Sequence, residues 1–205
     1  MIIHNIEQKS EAWYELRCGR VTGTRFKALM AGESTATYKD LITNLACEII
    51  TRKQEENYVS ADMERGIELE PIARNLYSEL TEAEVKEIGF ITPDDDSIYS
   101  EWVGISPDGV LSDNGLLEIK CPKFKTHLEY IISGTLPSEY RHQVQGQLFV
   151  TGYKYCDFMS YAENMTPFII RVYPDEELFR EFEKRLNKLI IEVKEKLNNY
   201  YKYEL

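Results

Sequence analysis

Ser106-Pro107-Asp108-Gly109 and, with nine residues intervening after Asp108, Glu118-Ile119-Lys120 form the stretch on which the architecture turns. Side chains alternate faces along a strand, so Glu118 and Lys120 share one side while Leu117, Ile119 and Cys121 take the other. Asp113-Asn114-Gly115 is a hairpin turn, which folds Gly109–Ser112 back antiparallel to Leu116–Cys121 and brings Asp108 toward Glu118. Two carboxylates and an ammonium group then converge. Such a cluster suits phosphodiester hydrolysis, because carboxylates hold Mg²⁺ through hard oxygens and the ion polarises phosphate and acidifies water. The lysine has three open roles: orienting the water, deprotonating it, or neutralising the charged phosphate. Taken alone, the D…ExK pattern also fits a turn aspartate and a Glu/Lys pair on an edge strand.

Outward from this hairpin, the period changes on both sides. Upstream, Ser10 caps a helix carrying Trp13, Leu16 and Arg17, and Thr22-Gly23-Thr24 opens a short one through Phe26, Leu29 and Met30. Further helices are predicted over Tyr38–Arg52 and, from a Ser60 cap, through Ile67, Ala73, Leu76 and Leu80. Strands are predicted at Val85–Ile91 and Ile98–Val103 before the hairpin, and at Tyr153–Tyr161 and Phe168–Tyr173 near the end. Helices fall at Lys125–Ser133 and Pro137–Thr151. A final helix, Asp175–Asn199, carries Leu178, Phe182, Leu186, Leu189, Ile190, Val193 and Leu197 on one side, as core packing or a subunit contact. The order is an α/β (α+β) fold with a small central mixed sheet flanked by helices. The 205 residues suit one domain. Its parts are a helical portion at 1–60, a core at 61–174 and the C-terminal helix at 175–205.

Composition narrows the classes. No apolar run reaches the ~18 residues of a membrane span. Met1–Ser10 has neither a basic start nor an apolar stretch, so no export signal is expected and the cytoplasm is the default location. Cys18, Cys47, Cys121 and Cys156 lie far apart without CxxC spacing and read as reduced thiols rather than cluster ligands. His4, His127 and His142 are too few for a histidine-based zinc hydrolase, and no GxxxxGK[ST] loop marks a motor. The net charge of −11 opposes a polyanionic partner. Its distribution matters more: Leu16–Gly32 holds Arg17, Arg20, Arg25 and Lys27 with no acid, and much of the acidity falls in Glu55–Glu101.

Two flanking helices add chemistry. Glu70, within Arg65-Gly66-Ile67-Glu68-Leu69-Glu70-Pro71, is placed to complete a metal site. Tyr140, Gln143 and Gln147 fall at i, i+3 and i+7 on one helical face, with Gln145 among them in sequence.

In order along the chain these blocks resemble the lambda-type phage exonucleases, the viral recombinase family of the PD-(D/E)XK nuclease superfamily. The resemblance runs from Trp13 to about Gly152. It rests on Trp13-Tyr14-Glu15-Leu16-Arg17-Cys18-Gly19-Arg20-Val21-Thr22-Gly23-Thr24, Gly66…Glu70…Arg74, Ser106-Pro107-Asp108-Gly109, Leu117-Glu118-Ile119-Lys120-Cys121-Pro122 and Gln143-Val144-Gln145. It implies that Asp108, Glu118 and the Ile119 backbone carbonyl ligate Mg²⁺, with Mn²⁺ as a substitute. Lys120 takes the place of the catalytic lysine, and Glu70 that of a carboxylate for a second metal. Arg17 and Thr24 fall where the 5′ phosphate is gripped, and Tyr140, Gln143 and Gln145 where the substrate lies. It further implies a homotrimeric ring on double-stranded DNA ends. The expected activity is 5′-to-3′ digestion of one strand to mononucleotides, leaving 3′ overhangs, beside a single-strand annealing protein in phage or prophage recombination within a bacterial cytoplasm.

Two rivals stand beside this expectation. A PD-(D/E)XK endonuclease, of restriction or junction-resolving type, would have no use for an end-binding Arg17. A non-catalytic DNA-binding module would tolerate loss of Asp108, Glu118 or Lys120, which are intact.

Overall fold

The protein is described by a computed structural model over residues 1–54 and 60–203. The acidic start of Glu55–Glu101, at residues 55–59, and the last two residues of the C-terminal part lie outside those described.

The chain opens with strand β1 (Ile2–His4) and helix α1 (Glu11–Arg17). The Ser10 hydroxyl accepts from the Trp13 N–H, as its N-cap position predicts. A 3-10 turn over Gly23–Arg25 leads into α2 (Phe26–Leu29), followed by α3 (Ala36–Thr51) and α4 (Ala61–Thr81). Thr35 and Ser60 cap α3 and α4 in the same manner. Next come β2 (Val85–Lys86), β3 (Phe90–Thr92), β4 (Gly109–Leu111) and β5 (Gly115–Lys120). Helices α5 (Phe124–Ser133) and α6 (Arg141–Thr151) cross over to β6 (Tyr155–Ser160), and β7 (Phe168–Val172) and α7 (Glu176–Tyr201) close the chain.

The central sheet has the order β2-β4-β5-β6-β7. β4 and β5 pair antiparallel with Gly109 opposite Leu117, across a turn in which Asn114 takes φ 67°. β5 and β6 are parallel, as their helical crossover requires, which makes the sheet mixed. One face, with Leu117, Ile119 and Met159, packs on Ala73 and Tyr77 of α4. The other, with Leu116, Cys156 and Phe158, packs on Val144 and Leu148 of α6. Beyond α6 lies a second core, where Leu178, Phe182, Leu186, Leu189 and Val193 of α7 meet α2 and α3. The apolar stripe of the last helix is therefore core. Gly146 lets α6 approach α2, for a Cβ there would stand 2.5 Å from the Phe26 ring.

Two strand expectations are corrected. Residues 98–103 form turns, with Ile98 71% exposed; only Val103 makes a bridge, to Val21. The run Val85–Ile91 is broken, since β2 joins the central sheet while β3 pairs with β1 in a separate two-stranded sheet. Among the described residues no helix is long and apolar enough to cross a membrane, and all four cysteines are free.

Candidate active site

β5 is buried on both faces, and it carries Glu118 into the interior at 1% exposure. A buried carboxylate is costly unless its oxygens are all satisfied. Here α6 supplies the donors: Gln147 Nε2 reaches Oε2 at 2.6 Å, and Gln143 Nε2 reaches Oε1, which also receives Lys120 Nζ. Lys120 lies on the same side of the strand, with its ammonium 5.4 Å from the Tyr140 ring centre at the start of α6. Burial opposes the Lys120 charge, but Glu118 and Asp108 outweigh it and hold its pKa above the usual lysine value.

Asp108 precedes β4, and its Oδ2 accepts the Ile119 N–H at 2.6 Å. Burial, then the negative charges of Glu118 and Glu70, push its carboxyl well above the ordinary range, against the pull of Lys120. Continuing the β4–β5 register would set Pro107 opposite Ile119. Proline has no N–H, and Lys120's carbonyl already accepts from Tyr161 on the β6 side. Successive carbonyls along a strand point to opposite edges, so Ile119's faces Asp108 with no ladder donor to meet it. Glu70, on α4, is half-buried and paired with Arg74 at 2.5 Å; Arg74 also donates to the Asp108 carbonyl at 2.9 Å. Burial raises the Glu70 pKa, with Arg74, Lys9 and Lys120 opposing.

The two sides of Glu70 open into adjoining lobes of about 480 and 490 Å³. Asp108 borders the first, and Ile119, Lys120 and Tyr140 border the second. The cleft therefore brings together Asp108, Ile119, Lys120, Glu70 and Tyr140, with Glu118 and Gln143 joined to it through Lys120. Among the described residues no three His, Cys, Asp or Glu side chains close on a single point as a metal cage. Instead each carboxylate takes protein donors. The donor set, all oxygen and rich in buried negative charge, still fits a hard divalent cation.

The basic segment is more selective than its composition suggests. Arg25 pairs with buried Glu48, which also accepts the Gly19 N–H at 2.9 Å. Arg20 donates to the carbonyls of Leu16 and Ser100. Arg17 differs. Its guanidinium lies 4.0 Å over the Trp13 ring, and its buried Nε has no hydrogen-bond partner. Burial, then Arg25, pull its pKa down to about 10. Trp13 in turn donates to Ser106 Oγ at 2.8 Å, two residues before Asp108, so Arg17 is tied to the cleft. Thr24 is exposed on the 3-10 turn, while the buried Thr22 hydroxyl beside it has no partner. Thr22 is a polar group the sequence pattern passed over, although it sits in the same block as Arg17.

Gln143 and Gln147 turn inward to hold Glu118 rather than outward to a substrate. Gln145 belongs elsewhere: it is buried, its Nε2 donating to the Tyr173 carbonyl at 2.8 Å and its Oε1 accepting from Asp175 N–H at 2.9 Å. Its expected place among the substrate-facing residues is corrected, because two residues along a helix is roughly half a turn and faces α7.

The comparisons with known proteins bear on the family and the fold. Residues 12–154 match the YqaJ-like viral recombinase domain. The chain belongs to the YqaJ-like viral recombinase family. Structures of LHK-Exo, an alkaline exonuclease from Laribacter hongkongensis, are 36% identical alone and 35% identical in complex with dAMP. Both superpose with a TM-score of 0.84 over 94% of this chain and 97% of theirs. A phage related exonuclease from Haemophilus somnus 129PT shares the fold at 13% identity, with a TM-score of 0.68 over 88% of this chain and 96% of that one. No curated protein sequence matches. The chain is an exonuclease, a hydrolase, of this family.

Proposed function

We propose that the chain is a Mg²⁺-dependent 5′-to-3′ exonuclease acting on one strand of linear double-stranded DNA. It releases 5′-mononucleotides and leaves a 3′ overhang for phage-type recombination. The observation that carries the reading is the unpartnered Arg17 Nε, on a guanidinium stacked over Trp13, whose own N–H donates to Ser106 two residues before Asp108. A buried guanidinium N–H left without an acceptor is suited to an anion. A terminal phosphate supplies one, and Thr22 and Thr24 add hydroxyls on the same segment.

Asp108, Glu118 and the Ile119 carbonyl would hold Mg²⁺, with Glu70 available to a second ion, and Mn²⁺ has the same taste for oxygen. When bound, the ion supplies polarisation of the phosphate and a more acidic water. The chain's own residues do the rest. Gln143 and Gln147 fix the Glu118 carboxylate. Lys120, beside Glu118 and Tyr140, offsets charge developing on the phosphate. Tyr140 borders the strand on the Lys120 side.

In the same reading three subunits form a ring around the DNA, which suits a chain of net charge −11, since topology then replaces affinity. A single-strand annealing protein receives the overhang in the bacterial cytoplasm.

The test is digestion of linear duplex, 5′-phosphorylated or not, labelled separately at each end, with Mg²⁺ and with EDTA, beside a covalently closed circle. Mononucleotide release from the 5′ end, dependent on Mg²⁺ and sparing the circle, is expected. Cutting of the circle would replace the proposal with an endonuclease; DNA binding without cutting would leave a non-catalytic module.

A further inference from the structure

Lys9 adopts φ 68°, a left-handed backbone that favours glycine and that a side chain occupies only at a cost. The loop around it is pinned on both sides. Gln8 Nε2 donates to the carbonyls of Ile88 at 2.9 Å and Pro107 at 3.3 Å, which fastens the loop to the strand entering Asp108. Ser10 caps α1 and donates to the Glu7 carbonyl at 2.6 Å. Lys9 cannot drift from the cleft.

Its position there is singular. Both lobes of the cleft are bordered by Lys9, Ile67 and Glu70, so Lys9 stands at the divide between Asp108 and Lys120. The other cations bordering the lobes are engaged: Arg74 with Glu70 and Glu87, and Lys120 with Glu118. Among the described residues Lys9 has no ion pair, and it is exposed. Its charge is near enough to Glu70 to favour that carboxylate's ionised form, yet Glu70 already has Arg74 as its partner. Nothing in the fold needs an ammonium group at this point.

We propose that Lys9 is a substrate-binding residue that grips a backbone phosphate of the strand lying in the cleft. This rests on the reading of that cleft as a DNA-strand site. A strained backbone position then aims one unspent cation across an acidic wall that otherwise repels DNA. Lys9 lowers that repulsion where the strand must bend toward Asp108.

The test compares the full chain with Lys9→Gly and Lys9→Arg. Glycine suits φ 68°, so Lys9→Gly should melt at or above the wild-type temperature, and any functional loss is then not unfolding. Binding of a 5′-phosphorylated duplex end is followed by anisotropy with Ca²⁺ in place of Mg²⁺, across a salt series, together with KM and kcat in Mg²⁺. One phosphate contact contributes a salt slope of about 0.9, hence roughly an eightfold weakening at 0.1 M salt when it is lost. Lys9→Gly should show that weakening in binding and KM with kcat little changed, and Lys9→Arg should restore it. If the wild type binds and digests duplex while Lys9→Gly keeps its affinity and salt slope, the inference about Lys9 falls and the exonuclease reading stands. A changed kcat with unchanged KM would also overturn it, pointing to charge balance at Glu70. If the wild type neither binds nor digests duplex, the exonuclease reading falls and takes this inference with it.

Discussion

Replacing Gln147 by leucine isolates the hydrogen bond that fixes the Glu118 carboxylate. Glu118 and Gln147 are each 1% exposed, so water cannot replace a lost donor. The two oxygens are not equally served. Oε1 receives both Gln143 and Lys120, whereas Gln147 is the donor given to Oε2, at 2.6 Å. Leucine is close to glutamine in volume, so cavity formation contributes little and the cost is that of one charged acceptor left dry. A hydrogen bond to a charged group is worth about 1.5–3 kcal/mol. The 3.8 Å contact of the Cys156 thiol with Gln147 Oε1 is also lost, a weak one. A loss of about 2 kcal/mol follows, or roughly 4–8 °C of melting temperature for a chain of this size. Gln143→Leu leaves Lys120 on Oε1 and should cost less, about 0.5–1.5 kcal/mol. Because Gln147 acts through Glu118, Gln147→Leu should also weaken divalent-cation binding or kcat by roughly 10–100-fold, as loss of a ligand's supporting hydrogen bond does. Thermal melts in EDTA and kcat over a Mg²⁺ series measure both. A Gln147→Leu protein that melts with the wild type, or a Gln143→Leu protein that loses more than Gln147→Leu, would refute this account of the carboxylate.

Three further outcomes follow from the same geometry. Asp108→Asn should raise the melting temperature at pH 7 in EDTA. The raised folded-state pKa means the folded chain binds more protons than the unfolded one just above the ordinary aspartate value near 3.9, so wild-type stability falls as pH rises through the folded pKa. The variant's advantage should vanish below about pH 4, and Mg²⁺ should stabilise only the wild type; an advantage independent of pH would refute the electrostatic cause. Arg17→Ala should lower the preference for 5′-phosphorylated ends by roughly tenfold or more, the worth of a charge-assisted phosphate contact. A preference left unchanged by Arg17→Ala would remove Arg17 from the end site. Gly146→Ala should destabilise by about 1–3 kcal/mol through overpacking and depress activity with it, because the Cβ meets Phe26 at 2.5 Å on the helix that carries Gln143 and Gln147. A calorimetric scan and kcat check this, and an unaltered melt would show that α6 has room to move.

The local elements were legible from local chemistry. Ser10 and Ser60 cap their helices because a cap is a contact between a side chain and the backbone three residues on, which sequence displays directly. The same holds for the Asp113–Gly115 turn and for the alternation that puts Glu118 and Lys120 on one face, so the outline of the cleft was readable before any coordinates. Family membership was readable too, since ordered blocks survive where single motifs are ambiguous. Contacts between distant residues were not. β1 is three residues long and exists because Phe90–Thr92 lies beside it, and residues 98–103 have strand composition but no strand to pair with. Helical periodicity separated Gln143 and Gln147 from Gln145, yet only the packing of α6 on β5 determined that the first two meet Glu118 and the third meets α7. Likewise the run of four cations reads as uniform. Tertiary structure spent Arg25 on Glu48 and Arg20 on carbonyls, and left the Arg17 Nε without a partner, because the partner of a charge is set by which elements the fold brings together.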